Sequence, residues 1–356
     1  MKTSKFNACK AKTLFGLVAA LALVLPVAAH AGRFIDLGEN VTPNSISNNH
    51  RVVGARQDPD GSMHAIQYNI DTGTTLDIAG GARAWGVNEL NQISGYTLST
   101  SGAFLYSGNA LQDLGAGYSA FAINELSQIA GTVTGVNPYR ASPLPLNPAI
   151  YDAASSKWRS LDIAKVYPRG TRKGVYADQY VLFDINDAGY AVGKYFKAGL
   201  VGSSPILTTP AFNKVYTLSL PYGGYASAIN NQNKVACTSG SYSGTYSHAY
   251  LYDYDAGTST DLGTLNGGLS SGARDINNLN QVVGTSWLQT TPTSQYDPAS
   301  YHAFIWENGV MTDLNSRIPA DGGWILTSAN TINDLGDIAG VGLLDGVAHG
   351  FVLLTQ

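Results

Sequence analysis

Ile276-Asn277-Asn278-Leu279-Asn280-Gln281-Val282-Val283-Gly284 is the stretch whose reading decides the fold. It consists of an apolar residue, Asn, four variable residues, an apolar residue, one more residue and Gly. The phrase recurs from Val87-Asn88 to Gly95, Ile123-Asn124 to Gly131, Ile185-Asn186 to Gly193 and Ile332-Asn333 to Gly340. A further copy runs from Ile229-Asn230 to Cys237, and a degenerate one has Ser47 at the anchor and Gly54 at its end. The seven anchors are spaced 41, 36, 62, 44, 47 and 56 residues apart. Each Asn ends a short strand, and its side-chain oxygen is suited to accept the backbone N–H two residues on. Three residues after the anchor stand Asn91, Gly189, Asn233, Asn280 and Gly336, types that tolerate a left-handed backbone; His50 and Ser127 are the departures. Alternating apolar residues then resume, so each copy reads as a tight hairpin.

A second phrase follows each first one. His64-Ala65-Ile66, Ala103-Phe104-Leu105-Tyr106, Ala149-Ile150-Tyr151, Ala211-Phe212, His248-Ala249-Tyr250 and His302-Ala303-Phe304 begin it. A turn and a strand follow, ending in Asp77-Ile78, Asp113-Leu114, Asp162-Ile163, Asp261-Leu262 or Asp313-Leu314, with Ser219-Leu220 in the fourth copy. Two hairpins make four strands per repeat, and tandem four-stranded units of roughly 40–50 residues mark a β-propeller. The seventh copy stops after its third strand, Phe351-Val352-Leu353-Leu354, while Phe34-Ile35-Asp36-Leu37-Gly38 is an orphan fourth strand. The expected fold is therefore all-β: a seven-bladed propeller of four-stranded antiparallel blades, closed by pairing the N-terminal strand with the C-terminal blade.

Composition agrees. Of 356 residues, 13% are charged, 40 are Gly, 21 are Tyr and only 3 are Met, which excludes a helical bundle or coiled coil. Hydrophobic residues at 44% exclude global disorder. Residues 1–31 read as a signal peptide, with Lys2, Lys5, Lys10 and Lys12, an apolar run over 14–27, and Ala29-His30-Ala31 as a site cleaved after Ala31. The alternative is an uncleaved anchor. Residues 32–356 then form one domain, secreted or periplasmic. Loss of four lysines takes the net charge from −4 to −8, a poor match for nucleic acid or anionic lipid. Only Cys237 remains, so no intrachain disulfide holds the fold, and no later run is long enough to span a membrane. The chain reads as a monomer.

At His302-Ala303-Phe304-Ile305-Trp306-Glu307-Asn308-Gly309-Val310-Met311-Thr312-Asp313-Leu314 the sequence resembles the HAF-repeat family of bacterial, extracellular repeat proteins. Residues 248–268 follow the same pattern. The triad is literal only at His302; His64, His248 and His349 have substitutions after it. The resemblance implies export and repetition, and carries no catalytic residue to transfer.

Propeller strands alternate in direction, so first-to-second and third-to-fourth turns share one face, and these are short throughout. The long segments, 133–147, 194–209, 238–247, 285–301 and the interblade stretch 164–180, fall on the other face. Loops on a rigid scaffold are where binding resides. These carry Tyr139, Arg140, Tyr167, Tyr176, Tyr195, Tyr242, Tyr246, Trp287, Tyr296 and Tyr301, suited to a glycan, peptide or protein partner. Lys165, Arg169, Arg172 and Lys173 add a basic loop that suits an anionic polysaccharide or acidic peptide. A plain solvated insertion is the alternative.

The periodic histidines His64, His248, His302 and His349 read as structural, hydrogen-bonded to a neighbouring strand or turn. The periodic aspartates read as turn caps. The anchors Asn88, Asn124, Asn186, Asn230, Asn277 and Asn333 read as structural too. Cys237 reads as a buried, inert thiol. Asp58-Pro59-Asp60-Gly61 and Asp253-Tyr254-Asp255-Ala256-Gly257 lack full calcium-loop spacing, so no cofactor is implied beyond adventitious Ca²⁺. No nucleophile elbow, zincin or phosphate-loop motif occurs. The expectation is a secreted, non-catalytic binding protein. The alternatives are a propeller glycan hydrolase or lyase, with Asp178, Asp187, Asp297 and Asp321 as acids outside the repeat, or a structural surface protein.

Overall fold

The computed structural model describes residues 33–98, 102–135, 145–168, 175–197, 202–240, 246–291 and 297–355; of 166–168 and 175–177 only the backbone is described. Five antiparallel sheets have four strands each, and an eight-stranded sheet consists of two further such units joined by one parallel contact, Leu146 with Gln179. Seven four-stranded blades result. Their inner strands are Val41–Ile46, Ala82–Val87, Tyr118–Ile123, Gln179–Ile185, Tyr225–Ile229, Ser270–Ile276 and Trp324–Ile332. We number the blades 1 to 7 in that order.

The last blade closes as the termini suggested. Phe34–Glu39 pairs with Val347–Leu353, from Phe34 opposite Leu353 to Glu39 opposite His349. Pairing removes two sheet edges that would otherwise expose unpaired backbone groups. Seven apolar clusters fill the seven blade junctions, each drawing residues from two neighbouring blades; Val53 and Ala65 of blade 1, for example, pack with Ala84 and Ile93 of blade 2.

The turn after each anchor has the expected geometry. His50, Asn91, Ser127, Gly189, Asn233, Asn280 and Gly336 all have positive φ, the two departures included. Anchor oxygens accept the N–H two residues on, as in Leu90 to Asn88 and Leu279 to Asn277, both at 3.1 Å. The Gly that ends the phrase allows close approach to the inner strand. A Cβ at Gly131 would lie 1.7 Å from the Ser119 carbonyl oxygen, and one at Gly193 1.8 Å from that of Val181.

The anchor amides do more than cap turns. Asn88 donates to the Asn124 carbonyl, Asn124 to Asn186, Asn186 to Asn230, Asn230 to Asn277, Asn277 to Asn333, and Asn333 back to Ser47, all at 2.9–3.1 Å. Ser47 has no amide to offer, and Asn49 reaches the next blade instead, donating to the Glu89 carbonyl at 2.8 Å. A cyclic hydrogen-bonded belt thus ties the inner ends of the blades.

The periodic histidines also find partners. His248, His302 and His349 place Nδ1 2.9, 2.6 and 2.9 Å from Asp261, Asp313 and Asp36 on the adjacent strand, and His64 lies 2.7 Å from Asp77. The aspartates cap turns as well; Asp261 accepts the Gly263 N–H and Asp113 that of Gly115.

Candidate functional site

One sequence position builds the centre of the ring. Every inner strand carries a β-bulge whose extra residue stands three before the anchor: Asn44, Trp85, Phe121, Phe183, Ser227, Arg274 and Asn330. A bulge re-aims side chains, because two residues oppose one across the ladder. The residues one and four before the anchor, such as Ile123 and Ala120, therefore share the buried face. Those two and three before it both line an axial cavity of about 790 Å³. Thr42, Arg83 and Tyr225, from the starts of inner strands, and Ser328, midway along the longer inner strand of blade 7, line it too, with Lys194 and Val341 from second strands. These starts lie toward the face of the long second-to-third loops.

The cavity has two unlike walls. Blades 2 to 4 supply aromatic rings in contact. Trp85 meets Phe121 edge-on at 5.8 Å, Phe121 meets Phe183 edge-on at 6.1 Å, and Tyr96 stacks on Trp85 at 6.3 Å. Blades 5 to 7 and blade 1 supply Tyr225, Ser227, Arg274, Asn330, Thr331, Asn44 and Ser45. Several of these also bridge blades; Asn44 donates to the Ala84 carbonyl at 2.8 Å and Asn330 to that of Pro43 at 2.9 Å.

Two carboxyl groups converge here. Asp184 accepts the N–H groups of Ile185 and, from the next blade, Ile229, both at 2.8 Å. Asp275 accepts those of Ile276 and Ile332 at 2.8 and 2.9 Å. Removal from water nevertheless dominates: Asp184, which also feels Asp275, is pushed up to about 7, and Asp275 to about 6. Lys194 sits with its ammonium 5.2 Å from the Phe183 ring and 4.8 Å from that of Phe196, and burial holds its pKa below the usual lysine value.

The opposite mouth is different. The residue after each anchor receives a backbone N–H from the preceding blade, in a second complete belt. Asn48 N–H goes to Glu89, Glu89 to Glu125, Glu125 to Asp187, Asp187 to Asn231, Asn231 to Asn278, Asn278 to Asp334 and Asp334 to Asn48. These acids serve the scaffold. Among the described residues, no group of three or more His, Cys, Asp or Glu side chains is placed to hold a metal ion.

The loop residues expected to bind are distributed otherwise. Tyr195 lies within the strand Ala191–Phe196, and Trp287 and Tyr301 end and begin the paired strands Val282–Trp287 and Tyr301–Glu307; their placement in loops is corrected. The second and third strands simply extend into the inserted segments. Tyr195 stacks on Tyr180 at 4.2 Å and Trp287 on Tyr301 at 5.9 Å. Tyr246 is exposed. Tyr167 and Tyr176 are register partners in the backbone of a two-stranded ribbon, and Lys165 donates its backbone N–H to Asp178. Tyr139, Arg140, Arg169, Arg172, Lys173, Tyr242 and Tyr296 lie outside the described residues. None of Tyr195, Tyr246, Trp287 and Tyr301 lines the axial cavity.

The non-repeated acids also fall elsewhere. Asp187 belongs to the belt just described, Asp178 is buried at the ribbon, Asp297 caps a short 3₁₀ turn and Asp321 is exposed in a loop. Asp184 and Asp275 were missed. Their trace in the sequence is the word Asp-Ile-Asn, where other copies have Ser, Gly, Ala or Thr before the apolar residue. Cys237 is fully buried, and burial pushes its thiol up, as expected of an inert side chain.

A family model described as "Protein of unknown function (DUF3466)" matches residues 219–349. No curated protein matches the chain. Among solved structures, oligogalacturonate lyase from Vibrio parahaemolyticus aligns with a TM-score of 0.58 at 8% identity, over 91% of this chain and 96% of that one. An oligogalacturonate lyase in complex with manganese aligns at 0.55 and 8%, over 91% and 97%. The β-propeller domain of the Trilobed protease from Pyrococcus furiosus aligns at 0.55 and 9%, over 90% and 97%. That domain has an open velcro topology, whereas here the first and last strands are paired. At such identities the likeness is one of fold, and the fold is the β-propeller.

Proposed function

We propose that this protein is an exported, non-catalytic propeller that takes an extracellular glycan into its axial cavity from the face of the long loops. The leader-like residues 1–31 and the HAF-repeat resemblance support export. One observation carries the ligand: an aromatic wall, Trp85-Phe121-Phe183, stands opposite a wall of hydroxyl, amide and guanidinium groups in one cavity. A sugar ring has an apolar face of C–H groups and an equator of hydroxyls, so it needs both walls at once. The cavity volume of about 790 Å³ lies within the range of small-molecule sites. Tyr246, the ribbon residues Tyr167 and Tyr176, and Tyr139, Arg140, Arg169, Arg172, Lys173, Tyr242 and Tyr296 of the inserted segments are the further candidates for contact with the emerging chain.

Glycan-array screening of the protein lacking residues 1–31, followed by calorimetry on the hits, tests this reading. Trp85→Ala and Phe121→Ala should each weaken binding about tenfold or more while the fold is retained. Hits that bind these variants as well as the parent would remove the cavity from the reading.

An enzymatic reading has one specific observation in its favour: Asp184 and Asp275 have pKa values near those that acid–base catalysis uses. Both carboxyls are already engaged by two backbone N–H groups, which favours the scaffold role. Incubation of each glycan hit with the protein decides the matter. New reducing ends or unsaturated products that vanish in Asp184→Asn would make it an enzyme.

A further inference from the structure

We propose that the axial cavity selects glycans bearing carboxylate groups, with Arg83, Lys194 and Arg274 as the residues that read the charge. This rests on the glycan-binding reading above and adds the class of sugar.

The cations of the cavity differ from the ion-paired cations of the molecule and, like Arg159 over Phe212 and Lys214 over Tyr216, lack a carboxylate partner among the described residues. Arg51 pairs with Asp71, Arg56 with Asp58 and Asp77, Lys234 with Asp253, and Arg317 with Glu307. No hydrogen bond or ion pair joins Arg83, Lys194 or Arg274 to another of the described residues. Lys194 is held only over the rings of Phe183 and Phe196. Arg83 Nε is buried without a partner, and so is Trp85 Nε1. Buried polar atoms in native proteins are paired, and an orphan asks for a reason. Here the orphaned atoms are all donors, so the missing partner is an acceptor.

The two nearby carboxyls do not fill that role. Asp184 and Asp275 direct their oxygens to backbone N–H groups of their own and the following blade. The donors of the three cations are therefore left for a ligand. Its distribution defines the ligand further. Arg83 is on blade 2, Lys194 on blade 4 and Arg274 on blade 6. One small anion cannot sit against three alternate blades, whereas a chain with charge repeated along it can. The guanidinium fork matches a carboxylate in two parallel bonds. The aromatic wall of blades 2 to 4 lies between Arg83 and Lys194, so a ring stacked there carries its carboxylate toward a cation. A polyuronate has this pattern of stacking faces and repeated carboxylates; an acidic peptide has the charge without the faces.

Calorimetry with four hexamers tests the proposal: oligogalacturonate, its methyl ester, the neutral maltohexaose and hexaglutamate. Oligogalacturonate should bind, its methyl ester about tenfold or more weaker, and rising salt should weaken the acid form alone. Arg83→Met, Lys194→Met and Arg274→Met should each lower affinity for the acid hexamer about tenfold, and by a clearly smaller factor for any neutral hexamer that binds. Arg274 is exposed, so its variant tests the idea even if burial makes the other two unstable. Equal binding of acid and ester, tighter binding of hexaglutamate, or indifference to all three substitutions would overturn the charge selection. If neutral glycans bind and lose affinity in Trp85→Ala while the cation variants do nothing, the glycan reading stands and this one falls. If no glycan binds at all, both fall.

Discussion

The side-chain amide of Asn333 donates to the backbone carbonyl of Ser47 at 3.1 Å, across 286 positions of sequence. With that bond the belt of anchor amides returns to its start. A ring of seven blades is held at its inner rim by six anchor amides, each a few per cent exposed or less, and by the half-buried Asn49. Because the groups are buried, each bond matters mainly through the cost of leaving it unmade.

Asn277→Ala tests this. Asn277 donates to the Asn333 carbonyl and accepts the N–H groups of Leu279 and Gln281. Truncation leaves at least two backbone groups without partners, at about 1–3 kcal/mol each. Urea denaturation should show a loss of about 3 kcal/mol. A loss below about 0.5 kcal/mol, the range of neutral surface changes, would mean that the belt is ornamental.

Removal of residues 33–38 should lower the thermal midpoint sharply. The strand they form buries Ile35 against the junction of blades 7 and 1, and sets Phe34 against Trp324 and Phe351 at 4.9 and 5.9 Å. Two such side chains are worth about 1.5–3 kcal/mol each. The deletion also exposes the edge of Val347–Leu353. Calorimetric scanning that finds an unchanged midpoint would dismiss the closed ring as a source of stability.

Asp184 and Asp275 predict an unusual pH dependence. Their native values of about 7 and 6 lie above the ordinary aspartate value, so the folded state holds their protons more tightly than the unfolded chain. Their contribution favours folding most fully at low pH and declines as pH rises from about 4 through about 7. Asp313 has the opposite sign. Burial raises its pKa, but bonds from His302 and Asn315 outweigh burial and hold it low, so its stabilisation is present above about pH 4 and is lost in acid. Denaturation of parent and Asp184→Asn between pH 4.5 and 8 separates the terms. The variant should lose part of the decline; superimposable pH slopes would refute the assignment.

The thiol of Cys237 should be inert in the folded protein. It is wholly enclosed beside Tyr250 and Val235, and its burial disfavours the thiolate. In the chain without residues 1–31, a thiol reagent should label nothing at pH 8 and one site after unfolding. Rapid labelling under native conditions would place the blade 5 junction in an open state.

Much of the fold is legible in the chain because its determinants are local and repeated. The turn after each anchor needs a left-handed residue, and the sequence supplies one or tolerates one seven times. The close approach of strands needs glycine, and the phrase ends in it. The orphan strand Phe34–Glu39 and the three-stranded last copy announce each other. The histidines point to partners on the adjacent strand, and Asp261 and Asp313 provide them.

The site is another matter. Strict alternation would place Trp85, Phe121 and Phe183 on the same face as the buried residues two positions later, in the core. The bulge adds one residue and turns them to the axis instead. Nothing in the alternation of one strand records that extra residue. Likewise Tyr195, Trp287 and Tyr301 look like loop residues until the strands are seen to run on through them. The repeat by itself determined the blades, since their strands pair with neighbours in the same module, and its two incomplete copies announced the closure that pairs Phe34–Glu39 with Val347–Leu353. The meeting of Trp85, Lys194, Asp184 and Arg274 around one cavity was decided only by the ring, which brings together positions that the sequence keeps on separate blades.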